Sequence, residues 1–72
     1  MSEKKIFTIV EYEQEEVNGL NHVLELQMNG KQMYSLHQSP NLNAEQLESS
    51  RRVFMERVKL YVEDYNGILV RN

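Results

Sequence analysis

Along the first half of the chain, apolar and polar positions alternate with a period of two. Ile6, Thr8, Val10 and Tyr12 alternate with Phe7, Ile9, Glu11 and Glu13. Leu24 and Leu26 alternate with Glu25 and Gln27, and Tyr34 and Leu36 with Met33 and Ser35. Successive side chains of a strand point to opposite faces, so this pattern predicts strands over about 5–13, 21–27 and 31–37. Further on the period lengthens. Leu47, Phe54, Met55, Val58, Tyr61, Val62 and Tyr65 fall on one stripe at roughly 100° per residue, which predicts a helix over about 44–66. Asn43 has the chemistry of an N-cap, with Gln46 in the capping-box position and Leu42 and Leu47 placed as a hydrophobic staple.

The turns are marked as clearly. All 3 glycines follow an asparagine: Asn18-Gly19, Asn29-Gly30 and Asn66-Gly67. Both residue types enter the left-handed backbone region at low cost, so each pair marks a reversal or a helix end. The cleaner apolar positions of the three strands are all even-numbered. A three-residue loop ending in a bulged glycine keeps even numbers facing even numbers, whereas a two-residue loop does not. Pairing sums of 36 for the first hairpin and 58 for the second are therefore expected. The expected core is Ile6, Val10, Tyr12, Leu24, Leu26, Tyr34 and Leu36 from the sheet, with Leu47, Phe54, Val58, Tyr61, Val62 and Tyr65 from the helix. The fold class that follows is α+β: a three-stranded antiparallel meander with one long C-terminal helix on one face, β-β-β-α. Ile68-Leu69-Val70 allows a short fourth strand at 68–71, in this sheet or a partner's.

Composition narrows the function more than it defines it. With 72 residues, 1–72 is expected to form one small domain. The chain has no cysteine, so disulfides, thiolate metal sites and cysteine nucleophiles are excluded. A net charge of -3 with 40% hydrophobic residues fits a folded protein rather than a charged disordered tail. No apolar run has the length of a signal peptide or of a bilayer span, so a cytoplasmic protein without membrane contact is expected. His22 and His37, the only histidines, are expected on different faces and lack a third ligand for zinc. No phosphate-binding glycine loop and no base–nucleophile spacing is present. No enzymatic activity, metal or cofactor is expected.

The element order resembles that of double-stranded-RNA-binding domains and of the three-stranded DNA-binding domains of some integrases. Such a resemblance implies a nucleic-acid-associated accessory protein. The charges oppose it, because the first helical turn holds Asn43-Ala44-Glu45-Gln46-Leu47-Glu48 where lysines would meet phosphate. A protein partner is the better expectation, through residues the core does not consume. Glu11, Glu13, Glu15 and Glu16 form an acidic cluster, with Glu25 expected opposite Glu11. Val53 and Leu60 lie seven apart on the charged side of the helix. Phe7, Ile9, Val23 and Met33, expected on the sheet face away from the helix, are candidates for self-association. The expected function is a non-enzymatic, self-associating interaction module that regulates or inhibits another protein. Phages and mobile elements use chains of this size in that way, which is an analogy of size and composition only.

Overall fold

The computed structural model describes residues 4–70. Strands β1 (Ile6–Glu16), β2 (Gly19–Met28) and β3 (Lys31–Gln38) are followed by helix α1 (Ala44–Asp64) and a short strand β4 (Ile68–Val70). The sheet order is β3-β2-β1-β4, antiparallel throughout except that β4 runs parallel to β1. The α+β, β-β-β-α architecture is as the periodicity predicts. The fourth strand belongs to this sheet, and position 71 lies outside the described residues.

Both hairpins differ from expectation in register, and the reason is turn geometry. The β1–β2 ladder runs from Phe7↔Met28 to Glu16↔Gly19 without a bulge, so paired numbers sum to 35 and not 36. Only Val17 and Asn18 lie between the strands, and the positive φ falls on Gly19 at 116°. At the second hairpin Asn29 and Gly30 both take positive φ, 52° and 83°, the pattern of a two-residue type I′ turn. Met28 pairs with Lys31 and Gln27 with Gln32, but beyond the turn Leu26 pairs with Tyr34 and Leu24 with Leu36. A bulge at Met33 makes the difference. It restores even facing even in β2 and β3, although the pairing sum there is 60 rather than 58.

With an odd sum in the first ladder, odd residues of β1 share a face with Leu24 and Leu26. The core therefore contains Phe7 in place of Ile6, Val10 and Tyr12. Phe7, Leu24, Leu26, Phe54 and Val58 form the fully buried cluster, with Ile9, Met33, Tyr34, Leu36, Met55, Tyr61, Val62 and Leu69 packed around it. Ile6 and Val10 are half-buried and Tyr12 is exposed on the far face. Leu47 and Tyr65, expected in the core, lie at its exposed margin. The segment Ile6-Phe7-Thr8-Ile9-Val10 is apolar on both parities, so its own pattern cannot choose a face. The turn chooses, and places the larger ring inside.

The helix is capped as its sequence implies. Asn43 Oδ1 accepts from the Gln46 backbone N–H at 2.8 Å, and Gln46 Oε1 accepts from the Asn43 N–H at 3.0 Å. At the other end Asn66, at φ 52°, is the left-handed residue. Asn66 N–H donates to the Glu63 carbonyl at 3.1 Å and Gly67 N–H to the Val62 carbonyl at 2.9 Å, closing a Schellman motif. The helix proper stops at Asp64, two residues before the predicted end. Gly67 is needed for space rather than for φ. A Cβ there would lie 2.4 Å from the Phe7 ring and 2.8 Å from the Lys5 carbonyl. That close approach lets the chain turn directly from the helix into β4, where Ile68 N–H donates to the same carbonyl at 2.9 Å.

Candidate interaction surface

The helix packs over β2 and β3 and leaves the β1–β4 side of the same sheet face open. Between α1 and β4 runs a groove of about 390 Å³ whose floor includes Met55, Val58, Val62 and Leu69. Arg52, Glu56, Lys59 and Glu63 form its rim on the helix. A second recess, of about 360 Å³, lies alongside, where Ile9, Phe54, Met55, Leu69 and Val70 meet Glu11 and Arg51. Ile68 and Val70 of β4 point to the far face and are 56% and 42% exposed. This edge of the molecule thus carries apolar surface on both sides of a three-residue strand.

Glu11 sits on the helix side, where the odd parity of β1 puts it. Arg51 Nη2 donates to Glu11 Oε1 at 2.7 Å and Nη1 to Oε2 at 3.3 Å, while His22 Nε2 lies 2.7 Å from Oε1. The Arg51 guanidinium first, and the His22 ring second, hold the Glu11 carboxyl down from 4.5 to about 2. All three side chains remain substantially exposed, so the cluster ties β1 to α1 with a strength of about 1 kcal/mol or less.

The far face is a polar network around the central strand. Glu25, 8% exposed, accepts from the Tyr12 hydroxyl at 2.9 Å and from Gln27 Nε2 at 2.6 Å. That acceptance raises the Tyr12 pKa above its ordinary value. Glu16 accepts from Asn21 Nδ2 at 2.6 Å and faces His37 Nδ1 at 2.5 Å. Asn21 Oδ1 is buried with no hydrogen-bond partner among the described residues. Val23 is fully buried between its ladder neighbours Tyr12 and His37.

The expected acidic cluster is divided between the two faces of the sheet. Glu11 faces the helix with exposed Glu13 and Glu15 farther along the same side of β1, whereas Glu25 lies opposite Val10 on the other face. The expected self-association set is also divided. Phe7 and Ile9 lie under the helix side of the sheet, Val23 is enclosed, and Met33 is a half-buried bulge residue packed against the core. Phe7 and Val23 therefore offer a partner no surface. Val53 and Leu60 are where the helical period puts them, 47% and 52% exposed. His22 and His37 occupy different faces, each beside a glutamate. Among the described residues no group of three or more His, Cys, Asp or Glu could hold a metal ion, and no helix is long and apolar enough to cross a membrane.

Sequence reasoning missed the groove. Met55 and Val62 stand in the apolar stripe, Val62 reading as core, and only the placement of β4 beside β1 shows that this part of the stripe is left half-covered. Fold and surface together define a β-β-β-α protein with a short parallel edge strand and an incompletely covered sheet. No known protein family, curated protein or solved structure matches the chain.

Proposed function

We propose that this chain is a small protein-interaction module that self-associates and acts, in the cytoplasm, as a regulator or inhibitor by binding another protein. It works by occupying a surface, without chemistry of its own. The observation that carries this reading is the groove beside α1, where Met55, Val62, Leu69 and Ile9 are apolar, adjacent and only partly covered. Apolar surface gathered in a concave site with a charged rim favours burial against a complementary apolar segment of another protein. The acidic residues Glu13 and Glu15, exposed on the neighbouring strand, favour partners with basic flanks.

The test is capture by the immobilised chain from the native host, comparing the wild type with Met55→Glu and with Glu13→Lys. Met55→Glu should abolish capture while circular dichroism stays unchanged. Glu13→Lys should weaken capture and flatten its loss with salt, because a screened attraction is replaced by a screened repulsion. Capture that survives Met55→Glu in a folded chain would remove the groove from the binding site.

A further inference from the structure

The exposed helix flank that rims the groove beside β4 has a charge order that is complementary to itself. Arg52, Glu56, Lys59 and Glu63 follow one another at spacings of four, three and four, so they form a single exposed stripe. Their signs alternate plus, minus, plus, minus. Within the chain these charges are largely unused. Among the described residues Glu56, Lys59 and Glu63 enter no ion pair, and Arg52 has only a 3.9 Å contact with Glu48. Val53 and Leu60 border the stripe on its solvent side, each about half exposed.

An antiparallel helix related by a two-fold axis pairs residues whose numbers have a constant sum. A sum of 115 sets Arg52 against Glu63 of the second copy and Glu56 against Lys59 of the second copy. Symmetry repeats both pairs, so four contacts of opposite sign form from one stripe. A slide of one helical turn destroys the match. A sum of 111 brings Arg52 to Lys59, and a sum of 119 brings Glu56 to Glu63. In the favoured register Val53 and Leu60 lie at nearly the same level as Leu60 and Val53 of the second copy, which buries their exposed apolar surface. From this we infer that α1 pairs antiparallel with α1 of a second copy along this stripe, so that the groove-bordering flanks of the two helices face each other. The inference rests on the self-association in the reading above and specifies where and in which direction it occurs.

The experiment is light scattering and sedimentation of the full chain at high micromolar concentration, with charge reversals. The wild type should be a dimer. Glu56→Lys alone and Lys59→Glu alone each reverse two symmetry-related pairs, and each should weaken the dimer about tenfold. An equimolar mixture of the two variants should form a heterodimer, because each then supplies the charge its partner needs, and the double variant Glu56→Lys/Lys59→Glu should dimerise again. A wild-type monomer overturns both this pairing and the self-association reading. A dimer indifferent to the charge reversals and to Val53→Asp/Leu60→Asp overturns the helix pairing alone, leaving self-association through another surface. Single variants that dissociate and do not recombine on mixing also overturn it.

Discussion

The two sides of the inner sheet face obey different rules. Over β2 and β3 the helix closes a continuous core: Tyr34 stacks on Phe54 with ring centroids 5.8 Å apart and reaches Tyr61 at 6.0 Å. Over β1 and β4 the cover is thin. Phe7 is enclosed there by an edge-on contact with Tyr65 at 6.1 Å and by the backbone at Gly67, and beyond it Ile9 and Leu69 border the open recess. The covered side encloses its apolar residues in the core, whereas the open side leaves some of them only partly covered. One amphipathic helix about 10 Å wide cannot roof four strands spaced about 4.8 Å apart. Which strands it leaves bare therefore decides where apolar surface stays accessible.

Removing a ring from the covered side tests this division hardest. Phe54→Ala should cost about 4 kcal/mol in urea unfolding, enough to leave a domain of this size largely unfolded. A loss near 1 kcal/mol would mean that the helix does not anchor that side. The open side has one tight point, so Gly67→Ala should cost about 2 kcal/mol as the added methyl group pushes Phe7 or β4 aside. Hydrogen exchange should show the loss concentrated in β4, and protection unchanged there would contradict the close approach.

The smallest effect is electrostatic. Glu11→Gln removes the link between β1 and Arg51 and should destabilise by less than about 1 kcal/mol at neutral pH. Because the folded carboxyl titrates at about 2 against 4.5 unperturbed, its contribution is complete above pH 4.5 and is lost as pH falls through 2. The stability gap between wild type and variant should close over that interval. A gap independent of pH would show that the carboxylate is not held by its cations.

How much of this was legible depends on whether the signal is local. Asn43, Gln46 and Asn66 mark the helix ends through contacts within one or two turns, and both caps form as read. Val53 and Leu60 follow from helical period alone. The face of β1 was not legible, because Phe7 and Ile9 compete with Ile6 and Val10 and the decision lies in a turn one residue shorter than expected. The even parity of β2 and β3 was read correctly, but through the wrong loop. A type I′ turn followed by a bulge reaches the same facing as the bulged loop. The role of Gly67 was hidden for a different reason, since it depends on a ring 60 positions away in the chain.

The bulge at Met33 also sets how the chain can tolerate changes in length. Met33 has no partner across the ladder, so a β3 shortened by this one residue would still set Tyr34 against Leu26 and Leu36 against Leu24. The first hairpin has no such spare residue: removing one position from β1 would turn every side chain before the cut to the opposite face. Insertions and deletions should therefore accumulate at one hairpin and be purged at the other, although the two turns carry the same Asn-Gly pair.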